Sequence, residues 1–233
     1  MKLLSRLAVA VIAAGSAGLQ TAAPQARAAV PQARAAAPQT PAAADLAARV
    51  QERYASVRDF SADFTHTYQG GVLKQKTTER GNLLIKKPGR MRWTYTSPEK
   101  KEFVSDGRQL YSYLPAERQV YINDVPAGGG DTSAALFLAG RGDVTRDFTA
   151  QVAGQDAATY TLKLTPKARQ QEFDTLTLIV DRTSMQIRSL VASDRQGGTS
   201  TFVFSNYKEN IGLSDSRFVF KTPRGVKVVK SDG

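Results

Sequence analysis

Residues Gly81 to Pro115 read GNLLIKKPGRMRWTYTSPEKKEFVSDGRQLYSYLP, and their punctuation decides the fold. Lys87-Pro88-Gly89, Ser97-Pro98-Glu99 and Asp106-Gly107 are turn signals that cut the stretch into short strands. Between the first two turns the side chains alternate. Met91, Trp93 and Tyr95 fall on one face, and Arg90, Arg92, Thr94 and Thr96 on the other. One face calls for apolar company and the other for water. The stretch also holds the chain's single tryptophan.

Working outward, the same period of two covers most of the chain. Upstream, Phe60, Ala62, Phe64, His66 and Tyr68 alternate with polar residues, and Gly70-Gly71 turns the chain. Thr77 to Lys87 returns as a strand that puts Leu83 and Ile85 in register with Lys87. Downstream, strands are expected over Gln119 to Asn123, Phe148 to Ala153, Thr159 to Thr165, Phe173 to Asp181, Gln186 to Asp194 and Thr199 to Tyr207. Phe218 to Pro223 and Gly225 to Lys230 close the chain. About eleven short strands with regular turns imply an antiparallel sheet that curls toward a barrel.

Two stretches switch to a helical period. Leu46, Val50, Tyr54 and Val57 form one apolar face of a helix that begins near Ala43, with Asp45 in its first turn, where a negative charge suits the helix dipole. Asp131 to Gly140 reads as a second, short helix, with Asp131 or Thr132 as N-cap and Gly140 as the residue past its end. It carries Leu136, Phe137 and Leu138 with almost no polar face, so it is expected to enter the interior or to lie over an apolar opening.

The first 44 residues have another character. Lys2 and Arg6 precede an apolar run from Leu7 to Leu19, and Ala26-Arg27-Ala28 suits cleavage, so residues 1–28 are expected to be a secretory signal peptide. Residues 29–44 continue an Ala/Pro/Gln-rich stretch that contains PQARA at Pro24 and again at Pro31, expected to be a flexible tether. Residues 45–233 are expected to form one domain. Loss of the three basic residues Lys2, Arg6 and Arg27 would lower the formal charge from +11 to +8, still basic. No cysteine is present, so neither a disulfide nor a lipid-bearing cysteine is available.

Catalytic chemistry needs polar groups that converge, and the sequence supplies few. With one histidine and no cysteine, ordinary zinc and copper sites are excluded. His66 lies mid-strand between Phe64 and Tyr68, which reads as structural. No nucleophile elbow, phosphate-binding loop or dinucleotide fingerprint occurs in the mature region, so neither a catalytic residue nor a cofactor is expected. Lys86, Lys87, Arg90 and Arg92 surround Trp93, yet Arg90 and Arg92 face away from it, which argues against nucleic acid.

The motifs in order resemble those of the outer-membrane lipoprotein carrier proteins, the LolA family. Gly81 to Pro98 is similar to that family's G-x-hydrophobic-x-hydrophobic-x-R-P-x-x-x-x-W-x-x-x-x-P segment. Val104-Ser105-Asp106-Gly107 with Leu110 and Tyr113 looks like its V-S-D-G-K-x-L-W-x-Y. Leu164-Thr165-Pro166, Asp194 to Gly197 with Thr201 to Phe204, and Phe218 to Val226 resemble later motifs. The resemblance implies an incomplete antiparallel β-barrel covered by a helical lid. It implies a periplasmic chaperone, expected to act as a monomer. Such a chaperone takes acylated lipoproteins from an inner-membrane ABC transporter to an outer-membrane acceptor. On that reading Leu83, Ile85, Met91, Trp93 and Tyr95 would wall an acyl-chain cavity, with Leu136, Phe137 and Leu138 as lid; an ordinary filled core is the alternative at each.

The family often has arginine before the motif proline, thought to hold the lid shut. Here Lys87 stands there, a latch without arginine's planar fork, or a lysine whose amine reaches water. A periplasmic regulatory module that senses lipid or lipoprotein on the same half-barrel is the alternative function, and a secreted hydrolase built on His66 a third.

Overall fold

The alternation around Trp93 folds as a strand inside a twelve-stranded sheet in the computed structural model, which describes residues 41–71, 74–125, 134–170 and 172–230. The chain opens with helix α1 (Ala43–Ser56). Strands β1 (Asp59–Gln69), β2 (Lys76–Lys86), β3 (Arg90–Ser97), β4 (Lys101–Asp106), β5 (Gln109–Leu114) and β6 (Gln119–Asp124) follow. A lid segment comes next: the single turn α2 (Ala134–Leu136) runs into a wide π-type turn, Phe137–Arg141, and then α3 (Val144–Asp147). Strands β7 (Phe148–Gln155), β8 (Thr159–Pro166), β9 (Thr175–Asp181), β10 (Ile187–Ser193), β11 (Thr199–Glu209) and β12 (Lys227–Lys230) complete it.

The strand order is β12-β6-β5-β4-β3-β2-β1-β11-β10-β9-β8-β7. Neighbours are antiparallel except β12, which runs parallel to β6. β12 and β7 are the two ends of the order, so the sheet curls without closing. This is the mainly-β, incomplete antiparallel barrel the sequence points to, with twelve strands rather than about eleven.

The inner face carries the core. On β3 Met91, Trp93 and Tyr95 are buried, while Arg90, Arg92 and Thr94 are half-buried on the outer face. Helix α1 lays Leu46, Ala47 and Val50 into the interior and packs on α3, β7 and β8. Its start at Ala43 takes two residues of the expected tether into the helix. The Gln51 side chain accepts the Val144 N–H at 2.9 Å, which ties α1 to α3. Asp143 caps α3 by accepting the N–H groups of Thr145 and Arg146, each at 2.8 Å. Residues 1–40 lie outside the described residues, as do Asp131 and Thr132, the expected caps of the second helix.

One strand expectation is corrected. Phe218 to Pro223 does not join the sheet: Asp215–Phe218 is a 3₁₀ turn packed on the outer face of β3 and β4. The Arg92 guanidinium takes the carbonyls of Arg217 at 2.6 Å and Val219 at 2.9 Å, so those groups find a side chain in place of a strand partner. Phe218 is fully buried, and Phe220 stacks on Tyr111 with ring centroids 5.3 Å apart. Period-two alternation at Phe218 and Phe220 reports their burial correctly and their ladder wrongly.

Candidate functional site

A cavity of about 440 Å³ opens on the inner face, between β3–β6 on one side and β10–β11 on the other. Its aromatic wall comes from Trp93 and Tyr95 of β3, Phe103 of β4 and Phe202 of β11. Ser112, Ala192 and Ser200 line it elsewhere. Register makes this arrangement. Trp93 pairs with Phe103 and Phe103 with Ser112, so all three face inward across consecutive strands. Ala192 pairs with Ser200 in the same way on β10 and β11. Small side chains at inward positions leave space that no neighbour fills.

The aromatic wall is held from behind. Phe64 of β1 meets Trp93 edge-on at 5.0 Å and Tyr95 at 4.8 Å, and Phe202 meets Trp93 at 5.2 Å. Such pairs add about 0.5–1.5 kcal/mol each beyond their buried area, which fixes the rings in place.

A polar network adjoins this wall at the Gln69 end of the sheet. His66 lies flat on Phe202 at 4.2 Å and faces Glu79 Oε2 at 3.2 Å through Nδ1. Lys101 Nζ sits 2.7 Å from Glu79 Oε1 and 4.5 Å above the Tyr95 ring. Burial lowers the His66 pKa, and Glu79 opposes that shift by charge and hydrogen bond. Burial raises the Tyr95 phenol, which therefore stays protonated. Among the described residues no group of three His, Asp or Glu side chains could hold a metal.

The lid interlocks with the other end of the sheet. The Gly89 N–H donates to the Ala139 carbonyl at 2.7 Å. Arg141 lays its guanidinium on Gly89 and donates to the Gly107 carbonyl. The Lys87 stem lies against Gly140 in return. A Cβ at Gly89 would stand 2.8 Å from Arg141 Nε, and one at Gly140 would stand 2.9 Å from Lys87 Cγ and Cδ. Both glycines have left-handed backbones, with φ of 74° and 79°, so their side-chain-free faces serve the turn and the close approach together.

The family pattern described as outer membrane lipoprotein carrier protein LolA matches residues 55–221. The chain belongs to the LolA family. An outer-membrane lipoprotein carrier protein of Nitrosomonas europaea is 30% identical over 171 residues, which cover 73% of this chain and 82% of that one. The corresponding protein of Chromobacterium violaceum is 30% identical over 185 residues, or 79% and 87% of the two chains. An uncharacterized conserved protein of Thermus thermophilus shares the fold, with a TM-score of 0.50 at 15% identity over 80% of this chain and 98% of that chain.

Within this LolA fold the residues singled out in the sequence take different places. Met91, Trp93 and Tyr95 line the cavity. Leu83 and Ile85 do not: they pair across to Trp93 and Met91 but are fully buried in the packed core, on the strand against which the lid turn rests. Phe137 and Leu138 are buried as a plug, with Phe137 between Tyr54 at 6.2 Å and Phe148 at 5.7 Å. The side chain of Leu136 lies outside the described residues, and Ala134 and Ala135 are the lid residues that reach the cavity.

Lys87 donates to the Tyr54 carbonyl at the end of α1 and stands 3.1 Å over the Tyr54 ring, while the Tyr54 hydroxyl donates to the Leu138 carbonyl. The lysine thus reaches the lid through α1. Its pKa is pulled down to about 7, chiefly by burial and also by the Arg53 charge, with Glu209 opposing. Arg141 escaped the sequence reading, although an arginine directly after the helix-ending Gly140 is a visible signal for a contact back to the sheet.

Proposed function

We propose that the protein is a periplasmic chaperone that shelters the acyl chains of lipoproteins in the cavity between Trp93 and Ala192. It would take them from an inner-membrane ABC transporter and release them to an outer-membrane acceptor. No helix among the described residues is long and apolar enough to cross a membrane. The observation that carries the reading is the preformed cavity, with aromatic rings on one side and small residues on the other, in a chain of the LolA family. Each CH₂ taken out of water stabilises the bound state by about 0.8 kcal/mol, so a 16-carbon chain requires shelter equivalent to roughly 12 kcal/mol to leave a membrane. A hollow sheet with a helical cover would supply that shelter without chemistry.

Ala192→Phe tests the reading, because Ala192 lines the cavity and a ring there would take up its space. Purified wild-type protein is expected to accept triacylated lipoprotein from detergent micelles and to co-elute with it. The variant is expected to keep its melting temperature and lose at least tenfold in uptake. Wild-type protein that ignores the acylated cargo would sink the carrier reading. Equal uptake by both would move the acyl chains out of this cavity.

A further inference from the structure

The two ends of the sheet differ in how their charges are used. At the lid end four basic side chains rest on acids, while Arg58 and Arg108 are exposed without one. Lys86 Nζ is 2.6 Å from Asp215, Arg90 is 3.6 Å from the same carboxylate, Arg188 is 3.1 Å from Asp181, and Arg53 pairs with Glu209. At the Gln69 end Arg195 pairs with Asp174 and Lys101 with Glu79, but the side from β2 to β12 gathers more bases without an acid. Among the described residues Lys76, Arg80, Lys100, Arg118, Arg224 and Lys227 are exposed and pair with no acid. Glu99 and Glu117 are the exposed acids of the same turns, and Glu79 is already held by Lys101 and His66.

Register draws these bases into a row. Arg80 pairs with Ser97, beside the turn that carries Lys100. Leu114 pairs with Gln119, and Gln119 with Lys227, beside the turn that carries Arg118. With strands about 4.8 Å apart, the row from β2 to β12 spans roughly 24 Å. It runs directly beside the cavity, because Tyr95 pairs with Lys101 at that edge. Tyr68, 40% exposed at the end of β1, adds an aromatic side chain of the kind that settles at a membrane–water boundary.

We infer that this basic edge docks the protein on an anionic phospholipid surface, with the cavity turned toward the bilayer. The bases come from separate turns and form no pocket, which suits many mobile phosphate headgroups better than one fixed carboxylate cluster. An acyl chain crossing between bilayer and cavity would pass beside Tyr95 and Phe103, the aromatic wall behind the row. This docking goes beyond the carrier reading and does not depend on it, since a lipid surface without lipoprotein suffices to test it.

The test is flotation of purified protein with vesicles of phosphatidylcholine alone or mixed with phosphatidylglycerol. Binding is expected only to the mixed vesicles and is expected to fall steeply between 50 and 300 mM salt, as the Debye length shortens from roughly 14 Å to roughly 6 Å. Combined Lys100→Glu, Arg118→Glu and Lys227→Glu substitutions should weaken binding at least on the order of a hundredfold, at about fivefold for each of the three bases lost. The matched set Arg49→Glu, Arg58→Glu and Arg108→Glu, exposed bases on α1 and lid-end loops, should weaken it several-fold at most. Melting curves check that each set folds. Equal binding to both vesicle types, or equal loss in both sets, overturns the assignment. Unchanged vesicle binding with lost cargo transfer makes the edge a protein contact and overturns it as well.

Discussion

Two halves of one sheet are built from the same strands and filled differently. In the β7–β10 half, Leu162, Leu164, Leu176 and Leu178 are fully buried and pair with one another across the strands, and α1 packs on β7 and β8. In the β3–β6 half, together with the facing ends of β10 and β11, the inward positions include Ser112, Asn123, Ala192 and Ser200, and the cavity lies there. Backbone geometry is antiparallel in both. The difference is side-chain volume, so the cavity is made by omission. Its rigidity then rests on the aromatic contacts of Phe64, Trp93 and Phe202, which do the work that neighbouring leucines do in the packed half.

Truncation is the strongest way to break this contrast. Leu178→Ala removes a side chain enclosed on every side and is expected to cost about 2–5 kcal/mol in denaturant unfolding. Phe103→Ala removes a larger side chain, but one that already faces the cavity, so the space it vacates joins an existing void. Its cost is expected to stay below that of Leu178→Ala despite the greater loss of atoms. Equal or reversed costs would mean that the two halves are packed alike.

A smaller effect separates the lid from both halves. Arg141→Met keeps the length of the side chain and removes the donor to the Gly107 carbonyl. A charged hydrogen bond to backbone contributes about 1.5–3 kcal/mol, and partial exposure of the arginine brings the expected loss toward 1 kcal/mol. Hydrogen exchange should then speed about fivefold at Phe137–Arg141 and leave Leu162 and Leu176 unchanged. Acceleration spread evenly over the sheet would make Arg141 a member of the global core rather than the clasp of the lid.

The sequence was most legible where one residue's surroundings are set by its own strand. Alternation at Met91, Trp93 and Tyr95 sufficed to place them inward, and turn chemistry sufficed to cut the strands. It was least legible where a side chain's role depends on what lies across the sheet. Leu83 and Trp93 are equally apolar, inward and paired, yet one is packed and the other faces a void. That depends on Ala192 and Ser200, about a hundred residues downstream, which carry no local signal. Phe218 and Phe220 mislead for a related reason: Arg92 supplies the hydrogen bonds that a strand partner would, and alternation cannot distinguish the two.

Lys87 gives the finest test, because it places a titrating group at the lid end of the sheet, away from the cavity. Its pKa of about 7 lies below the 10.5 of a free lysine, and burial is the leading cause. A depressed lysine pKa penalises the folded state fully at pH values below about 7, where even the buried amine must carry its charge. The penalty is relieved as pH rises from 7 toward 10.5, because the unfolded chain still binds the proton that the folded chain has released. Wild-type protein is therefore expected to gain stability relative to Lys87→Met across that window, by thermal unfolding at matched ionic strength. The gain should appear in exchange at the lid turn, while the fluorescence of Trp93, which reports the hollow half, stays level. A constant difference between the two proteins from pH 6 to 10 would mean that the Lys87 amine keeps an ordinary pKa, and that its bond to the Tyr54 carbonyl holds α1 without regard to charge.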